Sequence, residues 1–391
     1  MTTDVVFDPY DPETVENPWA LFRRMRDETP LYFNPELEFY AVTRFSDVEA
    51  VHLDRKAFIN GRGVTLGVVR SGMQFPPGTV VMEDDPTHAI HRSLLSRMFT
   101  PRRVTDLEPQ VRRLVCEIME PLADAEEIDF AADIARQVPM RVIGMLLGVP
   151  EQDQRAIRDF LFESRARDEG DREEVFSGEV FADYIDWRVD HPSDDIMTVL
   201  LTAEFEDETG TRRRLTRQEL LTYVTIVASA GNETTGNWLS WTAKLLAEHP
   251  DQRRLVVDDP SLVPAAMEEA LRMEPPSVNS GRVTARDVEM HGQTIPEGSF
   301  VCLVIPAANR DERQYTDPDC FDLHREQGRL LTFGFGSHLC LGQALARLEG
   351  RVVFDEFVRR FSDWEVDRSR AVFSHDDADV RGWSSLPIAV R

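Results

Sequence analysis

Lysine is almost absent from this chain: of its 44 basic residues only Lys56 and Lys244 are lysine, and the rest are arginine. That bias points to a GC-rich bacterial genome and carries no mechanism. There is no run of about 18 apolar residues, which excludes a transmembrane helix. The start, Met1-Thr2-Thr3-Asp4, has neither the basic opening nor the apolar stretch of a signal peptide. A cytoplasmic protein with no membrane anchor is therefore expected. Positive charge is in deficit, with 44 basic against 70 acidic residues and a net charge of −26. Such a chain repels nucleic acid and anionic membrane surfaces, and neither is expected as a partner. The charge by itself indicates solubility. Cysteine is also scarce: Cys116, Cys302, Cys320 and Cys340 form no C-x-x-C pair, and cysteines so widely spaced in a cytosolic chain rarely make disulfides. Repeats and linkers are missing too. Length alone would suggest two or three domains, but this absence favours a single domain over residues 1–391.

What is present reads as mainly α with small β-sheets. Asn17-Pro18-Trp19 opens a helix running towards Thr29, with a capping residue and a proline in its first turn. Tyr32-Phe33 and Phe39–Val42 suggest a short strand pair, followed by a helix over Ser46–Leu53. Gly61–Pro77, rich in glycine and proline, reads as a long loop, and long loops in compact domains are often functional. Helices are expected over His88–Phe99, Pro101–Leu122, Met140–Leu147, Gln152–Arg165 and Glu173–Asp190, with Asp168–Glu174 a solvated connection. Thr216-Arg217-Gln218-Glu219 has the spacing of a capping box. The helix it opens should run about thirty residues, to Glu248, far beyond the average, and should cross the core. Val263–Met273 follows as a helix, then strands over Val288–Met290 and Phe300–Ile305, and a last long helix over Leu341–Phe361.

Three of the cysteines are unremarkable, and Cys116 and Cys302 sit in apolar runs as small buried hydrophobes. Cys340 differs, because glycines surround it in Phe333-Gly334-Phe335-Gly336-Ser337-His338-Leu339-Cys340-Leu341-Gly342. Glycine lets a backbone turn tightly and approach a bulky planar group. At the start of the last helix, the helix dipole would favour thiolate over thiol, and a thiolate suits a soft metal ion. A zinc site lacks further ligands at zinc spacing. A phosphate loop lacks the Gly-Lys-Ser/Thr ending. A buried cysteine after a turn, or a redox thiol, stays open on the residues alone.

These ten residues resemble the haem-binding signature of the cytochrome P-450 family, F-G-x-G-x-H-x-C-x-G, at every fixed position. Ala230-Gly231-Asn232-Glu233-Thr234-Thr235 is similar to the family's A-G-x-[D/E]-T-T motif, about a hundred residues earlier. On its own that stretch could equally be packing with a solvent-facing Glu233. The resemblance spans essentially the whole chain. It implies the family's fold, with haem between the long central helix and the cysteine loop and last helix.

The resemblance also implies residue roles. Cys340 becomes the axial ligand of the iron of haem b, donating electron density that favours O–O cleavage. His338 contacts a haem propionate, and Phe333 and Gly342 belong to the same cofactor-binding loop. Ala230 and Gly231 leave room for a diatomic ligand, while Glu233 and Thr234 deliver protons. His88 and Arg92, four apart on one helical face, and Arg282 become propionate anchors, Arg286 being a surface competitor. Glu269 and Arg272, as E-x-x-R, form an ionic cluster with Arg325, supporting the cysteine loop. By spacing alone Glu268 would reach Arg272 as well.

The implied activity is a monooxygenase that inserts one oxygen atom from O2 into an organic substrate. Electrons would come from a separate ferredoxin and its NAD(P)H-dependent reductase, and a monomer is the family default. The docking face would draw on Arg97, Arg102, Arg103, Arg112, Arg113, Arg347 and Arg351. In the family the substrate pocket is lined by the equivalents of Gly61–Val81, Phe160–Tyr184, Ile226–Thr234 and Val278–Ser280. Their composition suggests a mainly apolar molecule: a fatty acid, steroid, terpenoid or polyketide-like product. Two other functions are weighed. A peroxide-driven haem peroxygenase would need no Glu233–Thr234 relay, and a non-catalytic haem sensor or electron carrier would need no oxygen pocket.

Overall fold

A strand that is apolar at every position has to be covered on both faces, and Phe300–Val304 is buried at all five residues. This strand organises the first of two units in the computed structural model, which describes residues 5–163, 177–326, 328–375 and 379–391. The first unit comprises Met1–Met73, Trp241–Cys340 and Ala371–Ser384; the second comprises Gln74–Ser240, Leu341–Arg370 and Ser385–Arg391.

In the first unit, five strands lie in the order Leu31–Asn34, Phe39–Val42, Phe300–Val304, Asn279–Thr284 and Phe58–Ile59. All pairings are antiparallel except that between Phe300–Val304 and Phe39–Val42. Side chains alternate along the central strand. Val301 and Leu303 therefore join Leu31, Val42, Phe45 and Leu331 in one core. Phe300, Cys302 and Val304 join Phe7, Phe22, Tyr32 and Phe39 in another. Gly281 is required opposite Phe300, because a Cβ there would lie 2.3 Å from the phenyl ring.

The second unit is helical, with a three-stranded sheet of Trp364–Val366, Pro387–Val390 and Glu127–Asp129. Helix Glu108–Met119 meets helix Gln343–Arg360 through Arg112, whose guanidinium reaches Glu108 at 2.9 Å, Glu356 at 2.6 Å and Asp355 at 3.1 Å. The capping box forms, with the Thr216 side chain accepting from Glu219 N–H and the Glu219 carboxylate accepting from Thr216 N–H. Helices approach closely at two glycines. A Cβ on Gly231 would sit 3.0 Å from Ile143, and one on Gly236 would sit 2.8 Å from the Ala135 carbonyl oxygen.

Several boundaries differ from the sequence expectation, each for a local reason. The long helix is two, Arg217–Ala230 and Glu233–Glu248, with turns at Gly231 and Asn232. Pro101–Leu122 divides into Pro101–Asp106, Glu108–Met119 and a 3-10 turn over Glu120–Leu122, since Pro109 and Pro121 each supply no N–H and start a new element. Gly61–Pro77 contains a helix, Leu66–Ser71, closed by Gly72 at φ 66°. The last helix begins at Gln343, so Cys340 precedes it rather than lying in its first turn. Cys116 is half-buried and Cys302 buried, and no cysteine is in a disulfide. Of the helix expected over Glu173–Asp190, residues 173–176 lie outside the described residues, as does the whole of the connection 168–174; the described helix is Ala182–Asp190. Missed altogether was a π-helix over Phe130–Ala135. No described helix is long and apolar enough to cross a membrane.

Helix Gln343–Arg360 also buries Glu349, which is 1 % exposed and whose Oε2 has no hydrogen-bond partner among the described residues. Loss of hydration raises its carboxyl well above the ordinary range. The protonated form is thus the favoured one in the fold. Its contribution is complete below the unfolded-state value and is lost as pH rises through the folded one, at about 1.4 kcal/mol per pH unit in between. Glu349→Gln should therefore raise the thermal unfolding midpoint at pH 8 and leave it nearly unchanged at pH 4.5, measured by circular dichroism.

Candidate active site

The cysteine loop is held from beneath by charge buried in the first unit. Glu269 and Arg272 have side chains with no solvent exposure and form a two-pronged pair, Nε and Nη2 donating at 2.8 Å each. Arg272 also donates to the carbonyls of Asn309 (2.9 Å), Pro318 (2.7 Å) and Cys320 (3.3 Å). Arg325 Nε donates to Glu269 Oε1 at 2.9 Å, and its remaining nitrogens bond to the carbonyls of Thr316, Asp317 and Cys320. The expected Glu269–Arg272–Arg325 cluster is present, and Glu269 rather than the half-buried Glu268 is its acid. From here the hydrogen bonds run to the loop: Asn309 Nδ2 donates to Thr332 Oγ1 at 2.7 Å, and Thr332 Oγ1 donates to the Leu271 carbonyl at 3.0 Å. Leu331, fully buried, and Thr332 form the stem on which Phe333–Cys340 stands.

Above the stem the backbone turns twice through left-handed glycines, Gly334 and Gly336, both at φ 73°. Gly336 is doubly constrained, because a Cβ there would also lie 3.1 Å from the His52 carbonyl oxygen. Gly336–His338 forms a 3-10 turn, and the Cys340 N–H closes the loop on the Phe333 carbonyl at 2.7 Å. The loop's Phe333, Phe335 and Leu339 stay only half-buried, and Cys340 is exposed. A loop built to this degree around an exposed thiol and half-buried apolar side chains suits a flat apolar group. Arg282 belongs to the same unit. It is buried on strand Asn279–Thr284, with Nη1 donating to the Gly281 carbonyl at 2.6 Å and Nη2 to His52 Nδ1 at 3.2 Å. Arg286 is a surface residue, 3.4 Å from Asp54.

In the second unit, His88 is buried and Arg92 half-buried on helix Thr87–Ser96, and His88 Nδ1 lies 3.4 Å from Asp85. Burial lowers the His88 imidazole from its ordinary value, against the opposing pull of Asp85. His91 pairs with Glu83 at 2.8 Å and packs edge-on against Tyr223, joining this helix to Arg217–Ala230. At the break between the two central helices, Ala230 is exposed although most residues before it are buried. The Thr234 hydroxyl donates to the Ala230 carbonyl at 3.0 Å, the bond expected of a threonine four residues on. Glu233 is half-buried beside it. Gly231 presents its Cα to Ile143, so its small size serves helix packing there. Gly342 caps the last helix, and a Cβ on it would meet no described atom within 4 Å.

Sequence reasoning missed His52, because one polar residue in a short helix reads as its wet side. It also missed the Glu83–His91 pair, whose partners stand eight residues apart with no helical spacing between them.

This donor set suits one kind of metal. Among the described residues no group of three or more His, Cys, Asp or Glu side chains could hold a bare ion. The one thiol on this glycine-built loop, Cys340, instead fits iron that brings its other ligands in a planar ring, and buried arginine and histidine fit that ring's carboxylates. The arrangement defines a haem-thiolate protein. Comparison with known proteins gives the same answer. The cytochrome P-450 family model matches residues 152–378. Cytochrome P-450 123 of Mycobacterium tuberculosis is 37% identical over 99% of this chain and 98% of its own. The vitamin D(3) 25-hydroxylase of Pseudonocardia autotrophica is 32% identical over 96% of this chain and 94% of its own. The crystal structure of the epothilone D-bound cytochrome P-450 epoK superposes with a TM-score of 0.89 at 27% identity, covering 99% of this chain and 100% of the other. The chain belongs to the cytochrome P-450 family. It is an oxidoreductase of the monooxygenase class, and its cofactor is thiolate-ligated haem.

Breaking the buried cluster leaves an uncompensated charge, at a cost of about 3–5 kcal/mol. Lysine at position 272 would keep the charge but lose the fork that serves Glu269 and three carbonyls. Arg272→Lys should therefore lower the unfolding midpoint markedly and cut the yield of haem-loaded protein, measured by thermal denaturation and haem content per chain.

Proposed function

We propose that this chain inserts one oxygen atom from O2 into a mainly apolar substrate of the lipid, steroid, terpenoid or polyketide-like kind, with electrons from a ferredoxin and its NAD(P)H-dependent reductase. The exposed Cys340 thiol, held by a loop whose own apolar side chains are only half-buried, carries this reading. A relative named for 25-hydroxylation of vitamin D(3) and a structural neighbour bound to epothilone D support the substrate class. Bound haem supplies the activation of dioxygen. The protein supplies a ligand, anchors, a proton path and a dry surface.

Cys340 is the residue whose thiolate would hold the haem iron. Its main-chain N–H is committed to the Phe333 carbonyl, which fixes the backbone that carries the sulfur. Phe333 and Gly342 flank the ligand, Phe333 giving an apolar contact and Gly342 leaving room for one. Arg282 and Arg92 would neutralise the haem carboxylates, a task the guanidinium fork matches, and His338 and His88 would help orient them by hydrogen bonding. Ala230, exposed at the helix break, leaves the space an oxygen ligand needs, and Gly231 lets the chain turn there. The Thr234 hydroxyl spends its hydrogen on the Ala230 carbonyl, so its oxygen can accept a proton-bearing neighbour. Glu233, next in the chain and half-buried, is the acid that would supply the proton. Their work is general-acid catalysis, where position governs efficiency. Dependence on this pair separates the reading from a peroxide-driven enzyme or a non-catalytic haem carrier.

The electron donor needs a cationic landing face on an otherwise acidic chain. Arg112 and Arg351 are unsuited to it, because Glu108, Asp355 and Glu356 neutralise them. Arg97, Arg102 and Arg103 are exposed and have no ion pair among the described residues. Arg113 is exposed too, 3.8 Å from Glu117, and Arg347 leans on Gln343 at 2.8 Å.

Two measurements test this function. The dithionite-reduced, carbon monoxide-bound protein should show the strongly red-shifted Soret band of a thiolate ligand, and Cys340→Ala should abolish it. A histidine-type Soret in the wild type would refute the ligand assignment. The double variant R102E/R103E should slow ferredoxin-dependent reduction about tenfold at low salt, with substrate-induced spectral shifts unaltered; an unchanged stopped-flow rate would remove these arginines from the docking face.

A further inference from the structure

A histidine in the last turn of helix Phe45–Leu53 has no place in the roles assigned so far. His52 is 6 % exposed. Its Nδ1 accepts from Arg282 Nη2 at 3.2 Å. That bond fixes the tautomer: the ring proton sits on Nε2, which has no hydrogen-bond partner among the described residues. A buried donor left unmatched costs about 1–3 kcal/mol. What the histidine offers over leucine is therefore the bond to Arg282.

The second contact lies on the main chain. The His52 carbonyl oxygen packs beneath Gly336, 3.1 Å from where a Cβ would stand, and His52 Cε1 lies 3.9 Å from where Gly334 would carry one. One residue therefore touches both left-handed glycines of the cysteine loop and the arginine on the neighbouring strand. Arg282 is gripped at both ends of its fork, by His52 on Nη2 and by the Gly281 carbonyl on Nη1, which leaves its plane little freedom. We infer that His52 is a positioning residue, which sets the Arg282 guanidinium in register with the Cys340 loop so that one haem carboxylate and the iron ligand are held at a fixed separation. The inference rests on the haem reading proposed above and adds a residue to it. Neutrality is part of the role, since an imidazolium would face a guanidinium at hydrogen-bond distance. Burial, and then the Arg282 charge, depress the imidazole to about 3, so it stays neutral across the physiological range.

The test is a mutant cycle on the haem-loaded protein, read by the rate of haem transfer to excess apomyoglobin. H52L removes the acceptor and should speed haem release about tenfold, as loss of a partner behind a ligand commonly does. H52N returns an acceptor near Nδ1 and should restore a rate close to wild type. Because His52 acts through Arg282, H52L/R282A should release haem no faster than R282A alone. Thermal midpoints of all variants serve as the folding control. If H52L does not fold, H52M takes its place in the cycle, its flexible side chain adapting to the same space. Wild-type rates in the apolar variant, effects that multiply in the double variant, or an H52N as leaky as H52L would each overturn the assignment. These outcomes are distinct from failure of the haem reading itself, which would appear as wild-type protein without thiolate-ligated haem.

Discussion

The buried fork of Arg272 is the interaction on which the rest of the site depends. A charged pair with no solvent exposure is a poor source of stability, because desolvation offsets most of the attraction. What it provides is geometry. Oriented by Glu269 on its own helix, one guanidinium fixes the main chain at Asn309, Pro318 and Cys320. Asn309 passes that constraint to Thr332, and Thr332 opens the cysteine loop. A hydrocarbon core of equal volume could fill this space, but it could not specify three carbonyl positions at once. The loop needs such support because its glycines give it little stiffness of its own.

Much of this was legible in the sequence, and the reason differs by element. Glycine at left-handed positions and a lone cysteine among them are constraints written in a single stretch, so Phe333–Gly342 could be read without knowing the fold. The Thr216–Glu219 capping box is equally local, and it formed. Glu269 against Glu268 was different. Both satisfy helical spacing, and only the motif chose between them; burial in the structure bears that choice out.

What escaped the sequence depends on partners far away in the chain. The break at Gly231 and Asn232 is invisible to hydrophobic periodicity, since residues on either side keep the same apolar face. The unbroken helix expected there becomes two elements whose junction exposes Ala230 and commits the Thr234 hydroxyl. His52 meets residues 230 positions later, which no window along the chain can detect. The arginines expected to form a docking face show the same limit. Their sequence gives charge, but only packing shows that Glu108, Asp355 and Glu356 absorb two of them.

The scarcity of lysine has a practical side. Lys244 holds its amine against Glu248 at 2.7 Å and over the Trp241 ring at 5.4 Å, whereas Lys56 is exposed. Reagents that acylate amines therefore meet one open side chain besides the chain terminus. A surface or electrode activated for amines would hold these molecules in a small number of orientations, where an ordinary lysine-rich protein would be held at random.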